Sequence, residues 1–263
     1  FRYSPIPASD WFPMESHLQQ PLKIDAPPLP PKELQKTGLL SAGAEASRLD
    51  IPLAYAVLIL PFAGLLAGFI WHWRTEVSPI ALAVAFVFWM LTLLGVEVGF
   101  HRLFSHQSFQ AVKPVRLALA IFGMMSMQGP VIWWAAVHRI HHKNSDQPGD
   151  PHSPNLHGAG WLEGLKGAWH GHVGWIFHRE SLRPESWSRF TADLSRERGL
   201  VQVHCWYLLW IVLGLVMPAA LAGLLTWSWG GALEGFVWGG LVRIFAVNHA
   251  IWGVNSICHL RGA

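Results

Sequence analysis

The sequence predicts an all-α membrane protein, with four transmembrane helices in two hairpins and a cytosolic helical cap that carries most of the clustered histidines. Three observations carry this. Of the 263 residues, 52% are hydrophobic and only 13% charged, whereas soluble domains hold roughly 25% charged residues. Uncharged runs recur at the ~20-residue length that a helix needs to cross the hydrocarbon core. A long polar stretch, about 101–203, separates the second run from the third and holds 11 of the 19 Lys and Arg.

The elements follow in order. Residues 1–50 lack a short apolar core behind basic residues and contain Pro27, Pro28, Pro30 and Pro31. They are expected to be a solvated, proline-rich leader and not a signal peptide. The first span, about 51–71, is free of formal charge; Pro61 would kink it without ending it, because neighbouring helices can satisfy the freed carbonyl. Trp71, Trp73 and Arg74 mark its exit at the interface. The stretch Ile80–Val96 continues as helix through Glu97, giving a second span, about 80–100, and closing a hairpin. A third span, about 205–229, and a glycine-rich turn at Gly230 lead to the fourth, about 233–254. Arg243, Asn248 and His249 should face a protein interior, with an internal ion pair or snorkelling the ordinary expectation for Arg243. Leu117–Val137 is also long enough to span, but Gln128-Gly129-Pro130 interrupts it, and crossing would separate the flanking histidines by ~30 Å. It is expected to be re-entrant or interfacial. The two loops on the opposite side hold only Arg74, so the histidines and both termini are expected to be cytoplasmic.

A net charge of +3 without a basic stripe excludes a nucleic-acid partner. Cys205 and Cys258, in or beside apolar stretches, are expected as reduced thiols. The chemistry lies in the histidines. His138, His141 and His142 fall at i, i+3 and i+4, which presents all of them to one volume on a helix. His101 and His106 are five apart, which turns them roughly 140° from each other on an undistorted helix of ~3.6 residues per turn. Either the helix frays between them or each serves a different ion, and a two-metal site accommodates this many ligands. Glu97 is placed to hold the second ring nitrogen of His101. His259 adds another imidazole, and Asn255, four residues before it, is placed to orient a metal-bound water. Neutral imidazole suits iron, copper or zinc. The lone His17, His72 and His204 read as structural, and His152, His170 and His172 as supporting or structural. Trp133 and Trp134, beside the second cluster, are the tryptophans expected to touch a substrate.

The strings His101-Arg-Leu-Phe-Ser-His106, His138-Arg-Ile-His-His142-Lys-Asn-Ser-Asp146 and Asn255-Ser-Ile-Cys-His259 closely resemble the integral-membrane fatty acid desaturases of the stearoyl or delta-9 acyl type. Asp150-Pro-His152 and His170-Gly-His-Val-Gly-Trp175 extend the resemblance, which runs from about Ile51 to the end. It implies one membrane desaturase domain over 51–263. It also implies two non-haem iron ions (Fe2+) bound by His101, His106, His138, His141, His142 and His259, with Asn255 beside one of them through a water. The implied reaction is O2-dependent introduction of a cis double bond, at delta-9 for this type, into a long acyl chain. Taking hydrogen from an unactivated methylene needs a strong oxidant made from O2, which nitrogen-rich iron sites with an open position supply. A long apolar tunnel would select the carbon that reaches the metal.

The partners implied are the bilayer, an acyl substrate on coenzyme A, a lipid or a carrier, and a separate electron donor of cytochrome b5 or ferredoxin type. The sequence departs from the family pattern in two places. A third box of pattern His-Asn-x-x-His-His is not among these residues, so six of nine expected histidine ligands are at hand and the chain is expected to be C-terminally truncated. Ala136 and Val137 stand where animal acyl-CoA enzymes carry a charged pair, which points to an acyl-lipid or acyl-carrier substrate. The rival readings are a membrane fatty acid or sterol hydroxylase and a truncated, non-catalytic metal-binding membrane protein.

Overall fold

The computed structural model describes residues 39–73, 75–178 and 187–261; the proline-rich part of the leader, His17 and Arg74 lie outside them. The described residues form helices and no strand, and four of the helices are long and apolar enough to cross a membrane. In chain order the helices are α1 (Leu39–Trp71), α2 (Pro79–Ser105), α3 (Lys113–Met124), α4 (Val131–Lys143), α5 (Trp161–His172), α6 (Arg198–Cys205), α7 (Tyr207–Thr226) and α8 (Trp229–Cys258). The spanning parts are Ile51–Trp71 of α1 and the whole of α2, α7 and α8. Side chains such as Phe62, Phe69, Phe86 and Leu224 stand exposed on these helices, as lipid-facing residues must.

Helices α2 and α8 run past the limits expected from hydropathy because each contains wide turns with i→i+5 hydrogen bonding. These lie at Gly95–Ser105 in α2 and at Gly235–Val242 and Val254–Cys258 in α8. Such π-helical turns are rare and concentrate at functional sites. Close packing holds α2 against α3: a methyl group at Gly95 would run into the backbone of Gly123. Lipid tails give helices no hydrophobic reason to associate, so small residues that allow close backbone approach do that work in a membrane.

The Leu117–Val137 segment folds as two short helices. At 12 and 13 residues, α3 and α4 extend only ~18–20 Å at ~1.5 Å per residue, less than the ~30 Å hydrocarbon core. Neither is long enough to cross. Between them Gly129 adopts a φ of 108° that only glycine accepts readily, and its N–H donates to the Tyr207 hydroxyl at 3.1 Å.

Arg243 secures this arrangement from α8. It is 2% exposed, and neither expected solution, an ion pair or snorkelling, is what it adopts. Its guanidinium donates instead to three carbonyls: Gly239 at 2.7 Å, Gly214 of α7 at 2.8 Å, and Met125, at the end of α3, at 3.1 Å. The α3 carbonyl belongs to the negative end of a helix dipole, where a cation is favoured. At the other end of the spans His72 Nε2 lies 3.2 Å from Glu234 Oε1, and Ser78 N–H donates to Glu234 Oε2 at 3.2 Å. His72 thus has the structural role expected of it, tying α1 and the start of α2 to α8. Arg243→Leu should leave buried carbonyls without donors and lower stability by about 2–4 kcal/mol. Thermal unfolding of the detergent-solubilised variant, followed by circular dichroism, would measure this; an unchanged transition would show that the guanidinium does not anchor α3.

Candidate metal centre

The wide turn in α2 changes how its histidines relate. His106 N–H donates to the His101 carbonyl at 3.0 Å, and the Ser105 hydroxyl to the Phe100 carbonyl at 2.7 Å. With i→i+5 bonding, residues five apart stack on one side of the helix. The His101 and His106 rings accordingly lie 4.6 Å apart. The roughly 140° separation holds only for an undistorted α-helix, and here the helix is distorted between them by wide winding instead of fraying. From α4, four residues apart, His138 and His142 join them, and one ring nitrogen from each of the four lies within 4.8 Å of the others. His138 Nε2 is 3.0 Å from Nε2 of both His106 and His142. Ring nitrogens carrying lone pairs converge this closely only around a shared proton or a cation.

His141 turns the other way, so the three imidazoles of α4 do not share one volume as the spacing suggested. Its Nδ1–H donates to both Asp150 oxygens at 2.9 Å, and its ring lies 4.2 Å from that of His152 and 4.9 Å from that of His259. His141, Asp150 and His152 form a second, buried group of metal-binding geometry. Asp150 also accepts from the backbone N–H groups of Asp146 and His152. With its oxygens so engaged it acts as the carboxylate behind His141, leaving Nε2 of that ring to bind. The buried Nδ1 of His152 has no hydrogen-bond partner, which an ion would supply. The two groups adjoin through His141 and His142, whose rings are 5.4 Å apart.

Glu97 Oε2 stands 3.6 Å from His101 Nδ1, and Asp146 Oδ2 stands 3.6 Å from His259 Nδ1. Asn255 lies half-buried in the last wide turn of α8. Trp134 stacks on His138, with centroids 5.0 Å apart and planes 18° apart. Trp133 stacks instead on Trp175 at 6.0 Å. Sequence spacing left His152 as supporting or structural, and its Asp-Pro-His setting was the signal that could have promoted it.

Electrostatics suits these rings to binding a metal. Burial first, and then the neighbouring charges of His101 and Arg139, push His106 down to about 4. Burial and the adjacent imidazoles push His142 down to about 4 and His138 well below its ordinary value. His152 is pushed down to about 3 by burial and by His141. Burial raises the Asp150 carboxyl, but donation from His141 and from the two backbone amides outweighs it and holds Asp150 below its ordinary value. Neutral imidazole and ionised carboxylate are the forms that bind or support a divalent cation. The residues fit a pair of divalent transition-metal ions.

Two side chains that the sequence reading did not single out for the site hold α4 in place. Arg139, 3% exposed, donates to both Asp193 oxygens at 2.7 and 2.9 Å, and to the carbonyls of Phe190, Phe104 and Ser105 at 2.6, 2.6 and 3.2 Å. His204, at the end of α6, accepts from Ile132 N–H at 3.2 Å. Helix α4 starts at Pro130 without a side-chain cap of its own, so this imidazole caps it from elsewhere in the chain. The structural reading of His204 holds.

Asp150→Asn should weaken iron binding by about 10–100-fold while leaving the helix content intact. Metal titration followed by circular dichroism tests this, and unchanged affinity would remove Asp150 from the site. His204, pushed down to about 3 by burial, gives a pH signature. Its unfolded value is about 6.5, so the unfolded chain takes up a proton that the fold excludes, and stability falls as pH drops from about 6.5 towards 3. His204→Gln should reduce that slope by up to about 1.4 kcal/mol per pH unit. Unfolding midpoints of the metal-free protein across that window would check it; parallel curves would contradict it.

Comparison with known proteins identifies relatives of the chain. The fatty acid desaturase family profile matches residues 77–262. The chain is 40% identical over 206 residues to a hex-5-enoyl-[acyl-carrier protein] acetylenase of Moorena producens, covering 78% of this chain and 63% of that protein. It is 31% identical over 217 residues to delta-9 acyl-lipid desaturase 1 of Arabidopsis thaliana, covering 82% and 63%. It is 35% identical over 183 residues to an sn-1 stearoyl-lipid 9-desaturase of Anabaena variabilis, covering 69% and 60%. The chain thus spans less than two thirds of the length of each of these relatives. On the breadth of the family match and on these identities, the chain belongs to the fatty acid desaturase family.

Proposed function

We propose that this chain carries the di-iron centre of an acyl desaturase. The observation that supports this most strongly is the convergence of two adjoining imidazole groups at one end of a four-span helical bundle. In this reading His101, His106, His138 and His142 hold one iron. His141, His152 and His259 belong to the other, with Asn255 reaching it through a water. Iron bound there supplies an oxidant from O2. The overall conversion takes a –CH2–CH2– unit, O2, two electrons and two protons to –CH=CH– and two waters.

The chain's own residues do the rest. Asp150 orients His141 by accepting from its second ring nitrogen, and the Glu97 carboxylate stands 3.6 Å from the second nitrogen of His101. Arg139 fixes both histidine stretches relative to one another, so that the imidazoles that would hold the metals are positioned by the chain itself. Trp134, stacked on a metal-binding ring, and Trp133 wall the path of the acyl chain and keep it dry, which the absence of polar handles on an alkyl chain demands.

The names of several relatives favour delta-9 regiochemistry, while the acetylenase shows that this family also has members that act beyond a first double bond. Ala136 and Val137 leave the start of the second box uncharged, which favours an acyl chain borne on a carrier protein or a lipid over coenzyme A. Electrons come from a separate protein of cytochrome b5 or ferredoxin type. The basic residues between α2 and α7 favour the cytoplasmic side for the metal centre and both termini.

Expression with a compatible electron donor, in a host whose lipids and carrier-bound acyl chains are profiled, should yield a new unsaturated chain. His141→Ala should abolish that product and lower bound iron, with membrane insertion unchanged. A hydroxylated product without alkene would overturn desaturation; unchanged iron and product in the variant would overturn the site.

A further inference from the structure

A second group of histidines lies outside the metal centre. An open pocket of about 640 Å3 is lined by His157, Leu165, Lys166, Trp169, His170 and His178. His170 stands in the middle, its ring 4.9 Å from that of His157 and 5.0 Å from that of His178. Its Nε2–H donates to the Pro151 carbonyl at 3.2 Å. Pro151 sits between Asp150 and His152, so the pocket shares a wall with the metal centre.

The lining has the chemistry of an anion site. Lys166 brings a fixed positive charge on a flexible stem; its pairing with Glu163, 3.8 Å away and largely exposed, is of the kind worth little in water. The rings of His157 and His178 both neighbour that of His170. Burial, followed by His178 and His157, holds His170 below its ordinary value, and an anion beside it would favour its protonated form. Trp169, 64% exposed, and Leu165, 58% exposed, form an apolar side to the same opening.

We propose that this pocket binds the phosphate of the acyl donor's head group, with Lys166, His157 and His178 as its donors. His170 is a positioning residue that ties the pocket to the 150–152 turn, and Trp169 and Leu165 receive the apolar part of the head. The inference rests on the acyl-substrate reading above and extends it to the head group. The phosphate has two sources, the 4'-phosphopantetheine arm of a carrier protein and the head of a phospholipid.

The test is calorimetric titration of the iron-loaded protein in an uncharged, phosphate-free detergent. Three probes are used: 4'-phosphopantetheine, pantetheine without phosphate, and a short-chain phosphatidic acid. Binding of either phosphate-bearing probe, with pantetheine silent, supports the proposal, and the tighter of the two identifies the source. The variant His157→Ala/Lys166→Ala should bind that probe at least about tenfold more weakly, a loss of about 1.4 kcal/mol or more. Its iron content should be unchanged, because neither residue contacts the imidazoles of the centre. If neither phosphate probe binds, if pantetheine binds equally well, or if the variant binds as the parent does, the proposal is overturned. The readout needs no turnover, so a protein that binds the probe but makes no alkene would defeat the desaturase reading and leave the phosphate site standing.

Discussion

The geometry of the centre depends on one buried guanidinium. Arg139 lies between His138 and His141 in sequence, and its donors reach the last carbonyls before His106 as well as the carboxylate of Asp193. One side chain therefore fixes the relative position of the two histidine stretches that build the first imidazole group. Planar, bidentate donation to a carboxylate gives direction as well as attraction, which a lysine would not supply. Removing the guanidinium would leave the carbonyls of Phe104, Ser105 and Phe190 and the half-buried Asp193 carboxylate without this donor. Here the loss would also release the α2 turn that carries His101 and His106.

The same device recurs where α3 and α4 must be held short of crossing. A helix that does not cross a bilayer but lies buried in protein has ends whose orphan carbonyls and amides need partners. Arg243 takes the carbonyl at the end of α3, His204 takes an amide at the start of α4, and Tyr207 takes the amide of Gly129 between them. All three partners come from later in the chain, so the loop becomes rigid only once α6, α7 and α8 have docked. The rigid loop then aims α4, and with it three imidazoles, at the end of the bundle where α8 brings His259.

Much of this was legible in the sequence, and what was missed has two causes. Uncharged runs announced the spans, and Gln128-Gly129-Pro130 announced the break. The five clustered histidines announced the metal centre before any coordinates. What spacing could not supply was winding: three wide turns altered the faces of α2 and α8, so His101 and His106 meet where α-helical periodicity separates them. Glycines crowd those turns, at Gly95, Gly99, Gly235, Gly239 and Gly240, but glycine is also what close packing in a membrane selects, so the signal was ambiguous. The partners of Arg139, His204 and Arg243 were invisible for a different reason. Apart from the bond of Arg243 to Gly239 four residues before it, each joins residues more than two dozen positions apart, and no local pattern encodes which carbonyl a distant arginine will meet.

The wide turns also bear on why the site can hold its ligands in this form. An α-helical α2 would place His101 and His106 on different faces, and one of them would reach the centre only by unwinding the end of a membrane helix and exposing its amides. The π-helical turn avoids this by shifting the register by one residue per turn while the helix continues to His106, whose N–H donates to the His101 carbonyl. The gain is an imidazole pair on a continuous helix. The cost is the weaker hydrogen-bond geometry of the wide turn, which is borne where Gly95 and Gly99 permit α3 to pack against it and where Ser105 adds a side-chain bond across the turn. A rigid frame of this kind brings the ring nitrogens of His101, His106, His138 and His142 within 4.8 Å of one another.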